Sequence, residues 1–169
     1  MADSAASGAR QKSQMDSLVF RGYGSRADAR DYQVADFLSN SSGIHAVPIA
    51  EHIIGFMFLF TRGFYDSFRN QERRIWQKKN DISELRSKTI LIVGLGDIGR
   101  EAARLAHTLG CRVIAVSRSG KEKPAYVAEL KTADKLLQML PQADFVVISA
   151  PYTRATHHWF AMREFRRMK

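Results

Sequence analysis

Three glycines, Gly94, Gly96 and Gly99, stand between an apolar run, Thr89–Val93, and a helix-forming stretch from Arg100 to Leu109. The chemistry this spacing supports is anion binding rather than bond making. Gly94 allows a tight turn out of a strand, because a residue without Cβ reaches backbone angles closed to others. Gly96 lets the backbone approach a diphosphate, and Gly99 lets the helix lie close to the strand. The helix start then offers unpaired N–H groups and the positive end of its dipole. A second apolar run, Arg112–Ser117, follows. Strand, glycine turn, helix and strand in that order predict a dinucleotide-binding βαβ unit. The competing reading is a strand–turn–helix that merely needs small residues.

The end of the second strand bears on which dinucleotide. NAD-preferring sites place an Asp or Glu about 20 residues past the glycines to bond the ribose hydroxyls. Here that place holds Ser117, Arg118 and Ser119. A guanidinium there suits a 2′-phosphate through charge-assisted bonds, so NADP is favoured over NAD. In the alternative reading Arg118 faces solvent or stacks on adenine without discriminating.

Other reactive side chains carry less. Cys111 sits where the first helix turns into the next strand and reads as a packing residue. His157 and His158 have no carboxylate beside them in sequence to orient either ring, and His45 and His52 read as hydrogen-bonding or packing residues. His107 lies on an outer helix face and reads as solvated. No catalytic residue and no metal set is assigned.

These groups need elements to hold them. Thr89–Val93 is apolar on both faces, as a central parallel strand should be. Gly110 stands where a helix C-cap would. A short third strand is expected around Ala128–Leu130, then a helix from Ala133 to Leu140 stopped by Pro141. A doubly buried strand is expected from Asp144 to Ala150, ended by Pro151, and then a basic helical turn from Met162 to Lys169. Upstream, Pro48 suits a first helical turn. Ile49, Ile53, Phe56, Phe60, Phe64 and Phe68 then recur at helical steps, which predicts one long helix fading near Trp76 to Lys79, its aromatic stripe facing the core. A surface for a partner helix is the minor reading of that stripe.

The fold class is α/β: a partial doubly wound parallel sheet, preceded by a long crossing helix and a disordered tail. The expected boundaries are 1–36 for a polar tail too poor in apolar residues to order, 37–84 for the long helix and what precedes it, and 85–169 for an incomplete nucleotide-binding Rossmann domain. An extended piece and a loop are expected over 36–43.

Composition narrows the class further. With 169 residues, 45% of them hydrophobic and 25% charged, the chain suits one globular domain with an extension. One cysteine excludes a disulfide framework and suits a reducing cytoplasm. The start lacks the basic and apolar regions of a secretory signal. The apolar run Ile53–Phe60 is too short to cross a bilayer, which needs about 20 residues, so no membrane partner is expected. The net charge of +9 raises nucleic acid as a partner, but the clusters at Arg69–Lys79 and Arg163–Lys169 match no nucleic-acid motif and read as solvated faces.

Four segments carry a specific resemblance: Asn40–His52, Leu91–Arg100, Leu140–Pro151 and Thr153–Thr156. In order and spacing they resemble the D-isomer-specific 2-hydroxyacid dehydrogenases over roughly residues 36 to 169. The resemblance implies an oxidoreductase binding NAD(P) and a small 2-keto or 2-hydroxy acid. It implies that 37–84 is a remnant of a substrate domain, with the helix crossing between domains. It implies cofactor contacts from Asp97 and Ile98 in the glycine turn, Ser117, Arg118 and Ser119 at the ribose, Ala150 and Pro151 after the last strand, and Thr156. Members of that family are about twice as long, and their catalytic Arg, Glu and His correspond to positions past Lys169. The chain therefore reads as a fragment cut at both ends, binding dinucleotide but inactive alone. The alternative is a non-catalytic nucleotide-sensing or interaction module of the same family. An open strand edge at Asp144–Ala150 and an incompletely covered Phe-rich helix predict a poorly stable chain that forms homo-oligomers.

Overall fold

The computed structural model describes residues 41–78 and 82–169. The expectation of a disordered tail over 1–36 and the start of the extended piece lie outside the described residues, as does Lys79, the expected limit of the long helix. The chain forms two compact units. The larger comprises His45–Ala150 and Phe160–Lys169; the smaller includes Pro151–Trp159 and the turn at Ser41–Ile44.

The larger unit holds helices α1 (Ala46–Thr61) and α2 (Phe64–Glu72), strand β1 (Thr89–Val93), helix α3 (Asp97–Thr108) and strands β2 (Arg112–Ser117) and β3 (Glu129–Thr132). Helix α4 (Leu136–Met139), flanked by 3-10 turns, strand β4 (Phe145–Ile148) and helix α5 (Met162–Phe165) complete it. The sheet is parallel, in the order β3-β2-β1-β4, the opening order of a doubly wound Rossmann-like sheet. Register pairs Val93 with Val116 on one side and with Ile148 on the other.

Alternation along the central strands sends side chains to both faces, and both are buried. Ile90, Ile92, Val113, Ala115 and Val147 form one core with Ala102, Ala103 and Ala106 of α3 and Ala50, Ile54 and Met57 of α1. Leu91, Val93, Ile114 and Val116 point the other way and are fully buried, as are Met139 and Leu140. Right-handed crossovers account for this division. The β1-to-β2 and β3-to-β4 connections run in opposite directions across the sheet, so their helices fall on opposite faces. The expected Gly110 cap is present, with φ +81° and its N–H donating to His107 O at 2.9 Å.

Four expectations need correction. The long helix is two helices, bent by 70° at Arg62-Gly63, where Gly63 adopts a left-handed φ of +65°. The aromatic stripe is not core: Phe56, Phe60, Phe64 and Phe68 are 45–66% exposed. The buried line of α1 is instead Ala50, Ile54, Met57 and Thr61, because the alanines of α3 admit a close approach only on a face of modest side chains. Thr61 enters this line by donating its hydroxyl to Met57 O at 2.8 Å. Third, β4 is only half-buried, with Ile148 exposed and strand pairing limited to Phe145–Ile148, although its place at the edge of the sheet is the one expected. Fourth, the expected helix at Ala133–Leu140 is an α-helical turn between two 3-10 turns, and Pro141 lies inside the last of them. The third strand is present, displaced to Glu129–Thr132.

Candidate functional site

The carboxyl ends of β1, β2 and β4 lie side by side, and there Gly94, just past β1, Ser117, the last residue of β2, and Ser149, just past β4, are next in register. Strand order reverses between β1 and β4, the place where open α/β sheets present a crevice.

The three glycines of the turn answer different demands. Gly94 has φ +100°, and a Cβ on it would lie 2.8 Å from Ala150 N, so both backbone and space require glycine. A Cβ on Gly99 would overlap the Gly94 carbonyl oxygen and come within 2.6 Å of Ser149 Oγ. Gly96 differs. It is exposed, its φ of −77° and ψ of −167° suit any residue, and a Cβ would meet nothing within 4 Å. Among the described residues nothing in the fold asks for glycine at 96.

Helix α3 begins at Asp97, earlier than the expected Arg100, so Asp97 and Ile98 form its first turn with Gly96 as N-cap. Among the described residues, the N–H groups of Leu95, Gly96 and Ile98 donate to no acceptor. Unpaired donors at a helix mouth, beside a glycine whose Cβ position is open, fit a diphosphate. The site thus fits the expected cofactor by its own geometry.

The turn is held from behind by two residues that the sequence did not single out. Ser149 donates Oγ–H to Gly94 O at 2.7 Å and N–H to Val93 O at 2.9 Å. Arg100 donates Nε–H to Leu95 O at 3.1 Å and a second N–H to Glu122 Oε2 at 2.9 Å. A cation directly after the third glycine was the available signal for Arg100. A lone hydroxyl in the otherwise apolar Phe145–Ala150 run was the signal for Ser149.

At the β2 end, Ser117 Oγ accepts the Gly120 N–H at 3.0 Å and shapes the turn. Arg118 and Ser119 are exposed, and among the described residues Arg118 has no hydrogen-bond or ion-pair partner. Glu122, the next carboxylate along the chain, is engaged by Arg100. Ala150 closes the larger unit beside Gly94. Pro151 and Thr156 belong to the smaller unit, where Thr156 donates its hydroxyl to Pro151 O at 2.6 Å and accepts the Thr153 N–H at 2.7 Å.

Among the described residues no histidine has a carboxylate partner. His157 instead lies edge-on to Tyr152, with ring centroids 5.7 Å apart, and against His158 at 3.8 Å. Cys111 is buried, which pushes its thiol up and away from the nucleophilic thiolate. Asp144, at the foot of β4, is the carboxylate with the clearest structural duty. Burial alone would raise it, but the Thr89 N–H at 2.8 Å, Lys169 at 3.0 Å and nearby Lys88 outweigh burial and hold it below the ordinary carboxylate range. No groups of metal-ligating residues occur among the described residues, and among them no single helix is long and apolar enough to cross a membrane.

Comparison with known proteins accords with this geometry. The family model described as D-isomer specific 2-hydroxyacid dehydrogenase, NAD binding domain, matches residues 54–169, more than half of the chain. A glyoxylate reductase of Thermococcus gammatolerans is 42% identical over 83 residues, covering 48% of this chain and 24% of its own. The crystal structure of a D-isomer specific 2-hydroxyacid dehydrogenase family protein from Aeromonas salmonicida subsp. salmonicida A449 superposes with a TM-score of 0.74 at 34% identity, covering 91% of this chain and 46% of that one. An NADPH-dependent glyoxylate/hydroxypyruvate reductase from Sinorhizobium meliloti, in complex with NADP and sulfate, gives a TM-score of 0.67 at 25% identity over 78% of this chain and 40% of its own. The chain thus spans less than half the length of each of these relatives.

Proposed function

Because the chain belongs to the D-isomer specific 2-hydroxyacid dehydrogenase family and carries its NAD binding domain, we propose that Gly94, Gly96, Asp97, Ile98 and Gly99 cradle the diphosphate of a nicotinamide dinucleotide. Ser117, Arg118 and Ser119 take its adenosine ribose, and Ala150 lines the strand end. Pro151 and Thr156 enter the proposal from their sequence motif alone. The observation that carries it is the contrast among the glycines. Gly94 and Gly99 are demanded by the fold, whereas Gly96 opens onto empty space beside unpaired N–H groups.

NADP is the preferred form. Arg118 is exposed and without a partner among the described residues, and Glu122, which could otherwise offer a carboxylate to the ribose, is paired with Arg100. The Sinorhizobium relative is itself NADPH-dependent. Bound, the cofactor would supply hydride to the carbonyl carbon of a 2-keto acid, or accept it from a 2-hydroxy acid. This chain's residues bind and orient it, and among the described residues no histidine has a carboxylate to make it an acid–base partner. The whole protein is accordingly proposed as a 2-hydroxyacid oxidoreductase and the present chain as its dinucleotide-binding part, inactive alone. The absence of a carboxylate-paired histidine among the described residues also supports the second reading, a nucleotide-sensing module without turnover.

The partner surface is a second copy of the chain, set against the exposed Phe56, Phe60, Phe64 and Phe68 of α1 and α2. Gly55, with nothing within 4 Å of its Cβ position, leaves a notch on that face lined by His52, Phe56 and Leu59. A cytoplasmic location completes the proposal and suits the lone buried thiol of Cys111.

Titration of the folded chain with NADPH and NADH, followed by cofactor fluorescence, tests the reading. Tighter NADPH binding is expected, with no turnover of glyoxylate or hydroxypyruvate. Failure to bind either dinucleotide defeats the proposal. Tighter NADH reverses the cofactor preference, and turnover by this chain removes the claim of inactivity.

A further inference from the structure

Arg100 is the first residue after the glycine turn, and its guanidinium does two things at once. Through Nε–H it holds the Leu95 carbonyl at 3.1 Å, and through a terminal N–H it holds Glu122 at 2.9 Å. Leu95 lies inside the turn between Gly94 and Gly96, while Glu122 lies in the loop after β2, four residues past Arg118. One planar side chain therefore ties together the two segments proposed to hold opposite ends of the same dinucleotide.

The consequences of each contact follow from peptide geometry. In a trans peptide the C=O and the following N–H point in opposite directions. A guanidinium that fixes the Leu95 C=O also fixes the opposed direction of the Gly96 N–H, one of the unpaired donors of the turn. The second contact acts on a loop anchored at its two ends, by the Gly120 N–H on Ser117 Oγ at 3.0 Å and by the fully buried Val127, and it adds a hold between them. Among the described residues, no other side chain of α3 bonds to residues 118–127. Within that loop Lys123 bonds only to Val127 O, at 2.8 Å. Arg100 is half exposed and Glu122 side chain 83% exposed, so their ion pair contributes little to overall stability. What it sets is position.

We infer that Arg100 and Glu122 form a strap that positions the dinucleotide site: Arg100 aligns the glycine turn and holds the loop carrying Arg118 beside it, and Glu122 acts only through Arg100. This rests on the dinucleotide-binding reading above and assigns neither residue a direct contact with the cofactor.

A sign difference separates the strap from a simple field effect. Removing the negative charge of Glu122 would, by Coulomb attraction alone, tighten the binding of an anionic dinucleotide. Loosening the strap weakens it. We therefore expect Glu122→Ala, at a side chain too exposed to unfold the domain, to raise the NADPH dissociation constant about threefold, and Arg100→Met to raise it about tenfold, near the value of one charge-assisted bond. The double variant should match Arg100→Met alone, since Glu122 has no route to the site without Arg100. Melting temperatures should stay within about 4 °C of the parent.

Fluorescence titration of NADPH and NADH into the full chain and its three variants reads all of this. Tighter or unchanged binding in Glu122→Ala overturns the inference, as does an undiminished Glu122→Ala effect in the Arg100→Met background. If the parent chain binds neither dinucleotide, the parent reading falls and the strap with it. If the parent binds and the variants bind equally well, the strap alone falls.

Discussion

Replacing Gly96 by valine separates what the fold requires from what the ligand requires. The backbone at 96 is extended, at φ −77° and ψ −167°, which valine adopts readily. A Cβ there touches nothing within 4 Å. Two small effects remain on stability. Glycine is a fair N-cap and valine a poor one, a loss of about 1 kcal/mol. Restricting the unfolded chain returns about 0.4–1 kcal/mol. The sum is close to zero, so melting should move by no more than about 4 °C. Binding should behave otherwise. The branched side chain fills the space in front of the Gly96 and Ile98 N–H groups. Losing two charge-assisted bonds at about 1.5 kcal/mol or more each weakens a dinucleotide about 100-fold. Gly99→Ala gives the complementary result, since its Cβ overlaps the Gly94 carbonyl oxygen. Overpacking of that kind costs about 1–3 kcal/mol or more and lowers melting by several degrees. Differential scanning fluorimetry and NADPH titration on both variants provide the assay. If Gly96→Val keeps NADPH affinity within about threefold of the parent, or unfolds as readily as Gly99→Ala, the reasoning about the turn is wrong.

Further outcomes follow from other residues. Arg118→Ala should weaken NADPH about tenfold, the loss of one charge-assisted bond, and leave NADH nearly unchanged; equal losses for both would remove Arg118 from the 2′-phosphate. Asp144 carries a lowered pKa, so the stability it contributes is present above the ordinary carboxylate range and is lost as pH falls through its folded value. Melting followed from pH 7 to pH 3 should therefore drop less steeply in Asp144→Asn than in the parent, and identical slopes would refute the assignment. Ser149→Ala removes the bond to the Gly94 carbonyl and should cost about 1 kcal/mol of stability; denaturant unfolding at constant m-value reads it. Phe60→Glu with Phe68→Glu should shift the chain from oligomer to monomer in light scattering without lowering its melting point, because both side chains are mostly exposed; an unchanged mass would exclude this face.

How legible the molecule was in its sequence depended on whether the deciding contacts were local. The β1–turn–α3–β2 unit is read directly, because a continuous apolar run, a glycine spacing and a cap residue at Gly110 are each explained within a few residues. The bend at Gly63 was hidden inside a helical period that continues on both sides of it. Periodicity also finds a stripe but does not say what covers it. Phe56, Phe60 and Phe64 outrank Ala50 and Thr61 in hydrophobicity, yet the alanine-lined face of α3 selects the smaller pair. The open edge of β4 was legible, but its apolar run read as doubly buried because strand composition does not reveal what covers each face. At the site, the glycines were visible by type and spacing. Ser149, Arg100 and Glu122 were not, since their bonds span 55, 5 and 22 residues and exist only once the turn has closed.

The most direct test is a ¹H–¹⁵N correlation spectrum of the folded chain titrated with NADPH. The account predicts saturable shifts concentrated at the amides of Leu95, Gly96, Asp97 and Ile98, with the Arg118 amide following. A saturable response elsewhere that leaves those four amides unmoved would contradict it.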